Sequence, residues 1–156
     1  EYGGTIPDRI CELGRYGQKT GGGYYDYKEG DRTPIPNPQV QEIIEQVSKE
    51  KNIGRKDFDE EEIIKRSLYP LVNIGAQILD ESMAMRPSDI DIIYINGYGF
   101  PAYKGGPMHW ADTIGLDKVL ADIKRFHKNY GERWRPAPLL EKLVAEGKSF
   151  ADYQTS

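Results

Sequence analysis

The sequence predicts an all-α fold, and three observations support that expectation. Apolar residues recur at helical spacing in four separate stretches of the 156-residue chain. Asparagine, aspartate, proline and glycine stand at the boundaries of these stretches, where helices commonly begin or end. A continuous apolar run that could form a strand occurs once, at residues 90–95. We therefore expect helices packed on one another rather than a large sheet.

Charge and composition exclude several classes of protein. The 21 Lys and Arg residues against 25 Asp and Glu give a net charge of −4, so no basic excess is left for a phosphate backbone and no nucleic-acid partner is expected. No apolar run approaches the roughly 20 residues of a membrane span. The single cysteine, Cys11, excludes an intrachain disulfide and a cysteine zinc cluster. Because residues 1–4 lack Met and any leader pattern, we expect the chain to begin inside a longer protein.

The first part of the chain predicts a short helix, a glycine-rich loop and an extended connector. Residues 8–13 favour the helix, and Gly14 ends it. Glycines dominate residues 17–23, and residues 24–27 form a compact aromatic segment. Three prolines within residues 34–38 restrict the backbone to extended conformations, so we expect a domain boundary there.

A second helix is predicted directly after the prolines. Asn37 can accept hydrogen bonds from the first free backbone N–H groups, and Pro38 suits the first helical position. Four apolar side chains then share one face, namely Val40, Ile43, Ile44 and Val47. This helix is expected to end near residues 52–54.

The longest predicted helix is capped by Asp59. Its first turn holds the three glutamates of residues 60–62, which suit the positive end of the helix dipole, and a metal site there is the alternative interpretation. A stripe at helical spacing follows, made of Ile64, Leu68, Leu71, Gly75, Ile78 and Ser82. Pro70 removes one backbone hydrogen bond inside this stripe, so a kink is expected rather than a break.

Two more helices are predicted towards the end of the chain, the first stopped by Gly131 and the second by Gly147. Their apolar stripes are Leu116, Val119, Leu120, Ile123, His127 and Tyr130, and then Leu139, Leu140, Leu143 and Val144. Residues 13–27 and 143–153 also share an order of residue types: a helix end, glycine, lysine, a hydroxyl residue, an aromatic and Asp-Tyr. This internal similarity indicates two related units.

A candidate dinucleotide-binding motif lies near the middle of the chain. The apolar run at residues 90–95 precedes the pattern G-x-G-x-x-A at residues 97–102. Asp117 lies 20 residues past the first of these glycines, as in the dinucleotide fingerprint.

A helix over the same apolar run is the favoured alternative. Ser88 would begin it, and Asp91 three residues later would imitate a capping box. The inward side chains would be Ile90, Ile92 and Ile93. Pro101, Gly105, Gly106 and Pro107 prevent a helix from starting at the glycine loop, which a pyrophosphate site requires.

Three further motifs are candidates for chemistry. Residues 14–19 superficially resemble a phosphate loop, but a glutamine replaces its glycine, so a sharp turn is favoured over an anion site at Lys19. His109 and Asp112 could form an oriented base, although such pairs are common on solvated helix faces. His109 and His127 are 18 residues apart and lack a metal-binding pattern.

The sequences GRYGQKTGGGYYDY at residues 14–27 and GYGFPAYKGGP at residues 97–107, together with residues 64–82, carry a family resemblance. They resemble the C-terminal helical region of 3-hydroxyacyl-CoA dehydrogenases, especially the multifunctional fatty-acid β-oxidation enzymes that also contain an enoyl-CoA hydratase. The resemblance implies an all-α helical repeat of the 6-phosphogluconate/3-hydroxyacyl-CoA dehydrogenase C-terminal type. It implies the tail of a first repeat at residues 1–33, a connector with a helix at 34–58 and a second repeat at 59–156.

The same resemblance implies where the chemistry lies. Family members oxidise the 3-hydroxyl of an acyl-CoA with NAD, using a His-Glu pair and a Rossmann domain that precede this region. The family's first repeat also supplies an active-site Asn-Arg pair, and Lys65-Arg66 takes its place here. Lysine cannot both donate and accept hydrogen bonds as an amide does. We therefore expect no catalytic, cofactor-binding or metal residues in this chain.

The expected role is packing against the upstream Rossmann domain and the first helical repeat of a parent enzyme that binds NAD and acyl-CoA. The candidate interface residues are Tyr98, Phe100, Pro101, Tyr103, Gly105, Gly106 and Pro107. The alternative is a free-standing helical module that binds a protein through exposed aromatics at Tyr98, Phe100 and Tyr103. The C-terminus is not a peroxisomal Ser-Lys-Leu address, so a bacterial cytoplasm is expected, with a peroxisome or a mitochondrion as alternatives.

Overall fold

The computed structural model describes residues 4–153, and this part of the chain contains seven α-helices and one two-stranded sheet. The chain forms two compact units, the first ending at Asp57 and the second beginning at Phe58. The all-α expectation is therefore confirmed. Within residues 4–153, every helix is too short or too polar to cross a bilayer.

The first unit contains two helices and the small sheet. Helix α1 (Ile6–Glu12) is capped by Thr5, and helix α2 (Pro38–Glu50) follows the sheet. Strand β1 (Tyr25–Asp26) pairs antiparallel with β2 (Ile35–Pro36). The proline-rich segment is thus extended, as predicted, but it is also one strand of a ribbon. Proline is compatible with this position because a two-stranded ribbon leaves one edge of each strand unpaired.

Helix α2 begins as the sequence predicts. The Asn37 side chain accepts hydrogen bonds from the backbone N–H groups of Gln39 and Val40, at 2.9 and 3.2 Å. Val40 and Val47 are each 3% exposed and form the buried side of the helix. The cap is local chemistry, which explains why the sequence alone identifies it.

The second unit contains the remaining helices. They are α3 (Glu60–Asp80), α4 (Pro87–Gly97), α5 (Pro107–Ile114), α6 (Leu116–Tyr130) and α7 (Pro138–Ala145). Short 3₁₀ turns lie at Ala102–Lys104, Glu132–Trp134 and Phe150–Asp152. One apolar core joins all five helices. The largest fully buried side chains include Tyr69, Phe126, Phe150, Leu79 and Met108.

Helix α3 has the predicted cap but buries a different face. Asp59 accepts a hydrogen bond from the backbone N–H of Glu62 at 2.7 Å, and the helix continues through Pro70. The buried residues are Tyr69, Val72, Asn73, Gly75, Ala76 and Leu79. The predicted stripe is therefore confirmed in part. Gly75 is buried and Leu68, Leu71 and Ile78 pack partly buried against the core, whereas Ile64 is 41% exposed. Ser82 lies beyond the helix with φ +55°.

Asn73 explains why the most buried face of α3 is shifted from the predicted stripe. It is a polar residue, yet it is buried at 6% exposure. Its side-chain amide donates to the carbonyl of Arg135 and accepts from the backbone N–H of Ala137, both at 2.8 Å. These two bonds satisfy the buried amide and fix the segment that leads into α7. A stripe of apolar residues cannot include such a position.

Helix α4 confirms the helical interpretation of residues 90–95, but its cap and its buried face differ from the prediction. Arg86 is the N-cap residue, its backbone N–H donates to the Asp89 carboxylate at 3.1 Å, and Pro87 takes the first helical position. Ile90 is buried, whereas Ile92 and Ile93 are 59% and 57% exposed. The inward orientation predicted for these two isoleucines is therefore wrong.

Helices α6 and α7 follow their predicted stripes closely. Gly131 ends α6 with φ +85°, and α7 ends two residues before Gly147. Phe126 fills the buried position next to the one predicted for His127. The His127 imidazole instead lies at the surface, with Nε2 3.0 Å from Glu132 Oε1.

Candidate functional site

The first glycine-rich loop, defined here as residues 14–23, is held in place by the side chain of one of its own residues, Arg15. The Arg15 guanidinium donates to the carbonyl of Gly23 at 2.9 Å and to the Asp26 carboxylate at 2.6 Å. The Asn37 side-chain amide donates to the other oxygen of Asp26 at 2.7 Å. Lys19 lies in a 3₁₀ turn at Gln18–Thr20 that glycines of positive φ flank. This geometry is that of a tight turn rather than of a phosphate loop.

The second glycine-rich loop, residues 97–107, follows helix α4 instead of a strand. The dinucleotide interpretation of this segment is therefore wrong, because the fingerprint requires a strand before the loop and a helix that starts at it. Asp117 lies in the first turn of α6, where its Oδ1 would be 2.8 Å from a Cβ at Gly115. Residues 97–102 and Asp117 thus do not fit a nicotinamide dinucleotide.

A buried carboxylate from α4 holds the end of the second loop. Asp91 is 7% exposed, and its Oδ1 accepts a hydrogen bond from the backbone N–H of Met108 at 2.7 Å. Its Oδ2 accepts from the backbone N–H of His109 at 3.2 Å. Burial raises the pKa of Asp91, and these two N–H groups oppose that rise. Asp91 therefore caps the N-terminus of α5 and does not begin its own helix.

Asp91 also explains the glycine at position 106. A Cβ at Gly106 would lie 2.3 Å from the Asp91 Cβ, and the backbone there has φ +97°. Both conditions admit glycine and disfavour any other residue. Pro107 follows as the first residue of α5, where its missing N–H is not required.

The proposed oriented base at His109 does not form with Asp112. The Asp112 carboxylate instead accepts from the backbone N–H groups of Phe150 and Ala151, at 2.8 and 3.0 Å. It caps the 3₁₀ turn near the C-terminus as Asp91 caps α5. Within residues 4–153, no group of three His, Cys, Asp or Glu side chains is arranged to hold a metal.

An open groove of about 760 Å³ lies between α3, α5 and α6. Its apolar lining comes from Ile64, Tyr69, Trp110 and Ile114. Four carboxylates and two lysines complete the lining, namely Asp59, Glu60, Glu61 and Asp122 with Lys65 and Lys118. Sequence reasoning missed this groove because its charged groups come from two helices about 60 residues apart in the chain. We call it the α3/α5/α6 groove.

Lys65 is held by carboxylates on both sides of the groove. Its Nζ lies 2.7 Å from Glu61 Oε1 and 3.0 Å from Asp122 Oδ2. The hydrogen bond to Glu61 and then the one to Asp122 raise the pKa of Lys65 well above its ordinary value. The ammonium group is therefore stabilised in its protonated form by two carboxylates.

Arg66 is held by a second set of partners. Its guanidinium lies 2.8 Å from Glu62 and stacks over the ring of Tyr130 at 4.0 Å. Arg125 joins Glu62 to Asp122 at 3.1 and 3.0 Å, so the two sets form one ion-pair network between α3 and α6. The Lys65-Arg66 pair thus ties two helices together.

Exposed apolar side chains lie on α4 and on the loop that follows it. Tyr98 and Tyr103 are 76% and 86% exposed, and Ile92 and Ile93 of α4 are exposed as well. We call these four residues the α4 surface. Phe100 does not belong to it, because it is buried with its ring centroid 6.4 Å from that of Trp110. The aromatic patch predicted for a protein-binding module therefore lacks one of its three members.

A family model described as 3-hydroxyacyl-CoA dehydrogenase, C-terminal domain, matches residues 63–151, which is more than half of the chain. The chain belongs to this family. The match confirms both the family resemblance and the expected fold type of the C-terminal dehydrogenase domain. It covers most of α3 and all of α4 to α7, and with them the α4 surface and the part of the α3/α5/α6 groove from Ile64 onwards.

Relatives of the whole chain extend the likeness beyond this dehydrogenase domain. A peroxisomal bifunctional enzyme of Danio rerio is 43% identical over 91% of the chain, which spans 20% of that protein. A fatty acid oxidation complex subunit alpha of a Shewanella strain is 32% identical over 92% of the chain and 20% of its own length. The chain thus spans about a fifth of the length of the curated relatives it matches.

A solved structure shares the fold. The dehydrogenase part of multifunctional enzyme 1 from C. elegans has a TM-score of 0.62 and 29% identity, with 88% of this chain and 32% of that chain covered. The relatives include peroxisomal proteins of animals and plants as well as bacterial proteins. The bacterial cytoplasm stays a prediction, since these relatives come from more than one compartment.

Proposed function

We propose that this chain is the C-terminal helical part of an NAD-dependent 3-hydroxyacyl-CoA dehydrogenase of fatty-acid β-oxidation. In this role it supports the packing and assembly of the substrate side of the enzyme and contributes no catalytic group. The observation that carries the proposal is the family match over residues 63–151 in a chain that spans about a fifth of its relatives. The domain plan inferred from the sequence, with a second helical repeat at residues 59–156, belongs to this proposal.

The absence of a catalytic role is supported by the partners of the charged groups. Lys65, at the position inferred for the active-site amide of the first repeat, is bound between Glu61 and Asp122. Asp91 and Asp112 accept backbone N–H groups of elements that follow them in the chain. Groups engaged in this way hold helices together and are not poised to transfer a proton.

NAD and the acyl-CoA would be bound mainly by upstream parts of the parent enzyme. The second glycine-rich loop does not fit a dinucleotide, so the hydride acceptor would be bound by the Rossmann domain. A His-Glu pair there would remove the proton from the 3-hydroxyl, with positioning in a closed cleft as the second contribution. This chain would stabilise the geometry of that cleft by packing against it.

The α4 surface is the part of the second unit best suited to contact the upstream regions. Ile92, Ile93, Tyr98 and Tyr103 are all more than half exposed in this chain. Apolar and aromatic groups that lie together on a surface are typical of the centre of an interface. The neighbouring Pro101, Gly105, Gly106 and Pro107 shape the loop that presents them.

The proposal is tested by NADH oxidation with acetoacetyl-CoA. The chain alone is compared with the separately expressed upstream Rossmann region and first repeat, and with a mixture of the two. We expect no turnover by the chain alone and a higher turnover in the mixture than in the upstream part alone. Turnover by these 156 residues alone would show that the catalytic groups are present here and would overturn the proposal.

A pair of variants locates the contact. Ile92→Asp with Ile93→Asp should remove the gain in the mixture, because two carboxylates would be desolvated at the interface. Ile53→Asp is the matched control, since Ile53 is 57% exposed and lies in the first unit. If the mixture shows no gain and the reading frame has a start codon just before Glu1, the free-standing interaction module is the better account.

A further inference from the structure

We propose that the α3/α5/α6 groove binds an extended polypeptide segment of a partner protein that carries a lysine or arginine side chain. The inference is independent of the proposed dehydrogenase role, because it rests on the groups that line the groove. The charge of the groove indicates a cationic side chain, its unpaired hydrogen-bond donors indicate backbone carbonyls, and its apolar lining indicates the remaining side chains of such a segment. A metal ion or a phosphate does not combine positive charge, hydrogen-bond acceptors and apolar groups.

The charge of the groove favours a cation. Four carboxylates and two lysines line it, so the sum of the formal charges is 2 − 4 = −2. Lys65 is already matched by Glu61 and Asp122. The half-charge at the N-terminus of α3 offsets only part of the remaining negative potential. A lysine or arginine side chain from outside would complete the charge balance near Glu60, which makes no ion pair within residues 4–153, whereas Glu61 is already paired with Lys65.

Two hydrogen-bond donors at the groove have no acceptor within residues 4–153, and their polar atoms stay accessible to solvent. Tyr69 is 1% exposed and Trp110 is 9% exposed, and both line the groove. Among residues 4–153, neither the Tyr69 hydroxyl nor the Trp110 indole N–H has a hydrogen-bond partner. The indole can only donate, so it needs an acceptor from a ligand or from water. Backbone carbonyls of an extended peptide are acceptors of this kind, whereas a protonated amine can only donate.

The apolar lining suits the remaining side chains of the segment. Tyr69 and Trp110 pack with ring centroids 5.8 Å apart, and Ile64 and Ile114 border the same space. The methylene stem of a lysine or arginine can lie along such a surface while its charged end reaches the rim. The groove volume of about 760 Å³ lies within the range of sites that enclose small ligands or a few residues.

The test uses a probe peptide and the fluorescence of Trp110. The peptide is N-acetylated and C-amidated, with a central arginine flanked by two leucines on each side, and its matched control has glutamate in place of the arginine. The chain has two tryptophans, so Trp134→Phe leaves Trp110 as the sole reporter. Isothermal titration with the unaltered chain gives a second readout that does not depend on this substitution.

We expect saturable binding of the arginine peptide and at least about tenfold weaker binding of the glutamate peptide, with an affinity that falls as salt increases. Glu60→Gln with Glu61→Gln should weaken binding about tenfold, and Tyr69→Phe about fivefold, since it removes the donor and keeps the ring. Glu42→Gln and Tyr94→Phe are the matched controls outside the groove and should leave binding unchanged.

Three results would overturn the proposal. The first is equal binding, or no binding, of the two peptides. The second is binding of n-butylammonium as tight as that of the arginine peptide, which would indicate a site for small cations. The third is an arginine-peptide affinity that Tyr69→Phe and the double glutamine variant leave unchanged, which would place the peptide elsewhere on the chain.

Discussion

The two glycine-rich loops of the chain resemble each other in composition, but they close on side chains of opposite charge. In the first loop, the long and partly exposed Arg15 side chain donates to Gly23 and Asp26. In the second loop, the short and buried Asp91 side chain accepts from Met108 and His109. Each loop is thus held by a side chain of the protein itself, and in the second loop that side chain takes backbone N–H groups that a bound phosphate would otherwise contact.

The difference between the loops lies in how much each partner can move. A Cβ at Gly22 would meet the far end of Arg15 at 2.9 Å, and a flexible guanidinium can shift away. A Cβ at Gly106 would meet the Cβ of Asp91 at 2.3 Å, and that atom is fixed to helix α4. Glycine is therefore a preference at Gly22 and a requirement at Gly106.

The largest expected effect comes from breaking this requirement. Gly106→Ala should lower the free energy of unfolding of the second unit by about 3 kcal/mol or more, because it adds both a clash with Asp91 and backbone strain. Gly131→Ala is the matched control, since φ is +85° there but nothing lies within 4 Å of a Cβ. It should cost only about 1 kcal/mol. Urea unfolding followed by tryptophan fluorescence measures both, and equal losses would refute the steric argument.

The contributions of Asp91 and Asp26, the carboxylates associated with the two loops, to stability should depend on pH with opposite signs. Burial raises the pKa of Asp91, so folding favours its protonated form and its contribution falls as pH rises from the ordinary value of 3.8 through the raised native pKa. The Asn37 amide and then Arg15 lower the pKa of Asp26. Its contribution is present above 3.8 and is lost as pH falls through the lowered native pKa.

Unfolding of the Asn variants between about pH 2 and about pH 7 checks these signs. The stability of the unaltered chain relative to Asp91→Asn should decrease with pH, and its stability relative to Asp26→Asn should increase. Tryptophan fluorescence reports the second unit, because Trp110 and Trp134 both lie there, and amide exchange at Tyr27 reports the first. Two curves of the same sign would show that the two carboxylates do not differ as described.

A smaller effect is expected from removing the ligand of the first loop. Arg15→Ala should speed amide hydrogen exchange of Gly22 and Tyr27 about tenfold, because the loop would lose the bonds to Gly23 and Asp26 while the backbone bonds remain. Arg32→Ala, in the exposed segment before β2, is the control and should leave both rates unchanged. Unchanged exchange in Arg15→Ala would mean that the glycines alone hold the turn.

The smallest effect is expected at Gly97, the first glycine of the candidate dinucleotide motif. Gly97 has an ordinary φ and nothing within 4 Å of a Cβ, and it is the last residue of α4. Gly97→Ala should change the free energy of unfolding by no more than about 0.5 kcal/mol. The higher helix propensity of alanine should make this change stabilising. A loss above about 1 kcal/mol would show that this glycine has a role that its surroundings do not reveal.

Local signals in the sequence predicted the helix boundaries well. Asn37 and Asp59 cap the helices that follow them, and Gly131 ends α6, because each of these effects depends on bonds within one turn of the chain. The cap of α4 shows the limit of local rules. Ser88 and Asp91 fit the capping-box pattern better than Arg86 and Asp89 do, because arginine has no acceptor, yet Asp91 instead accepts a long-range hydrogen bond from the Met108 N–H.

Features that depend on distant parts of the chain were not predictable from spacing. The β1–β2 ribbon needs a pairing partner, and a two-residue strand leaves no periodic pattern. The α3/α5/α6 groove depends on Lys65 and Asp122 meeting across two helices. The family resemblance identified the fold type without revealing either feature, since it was carried by the loop sequences and by α3.

The Asn73 amide also has a consequence for the order of folding. Its two hydrogen bonds join positions that are 62 and 64 residues apart. Closing a loop of that length costs chain entropy that no local contact returns, so these bonds form after the individual helices. Helix α7 therefore takes its fixed position late, once α3 is already in place to receive it.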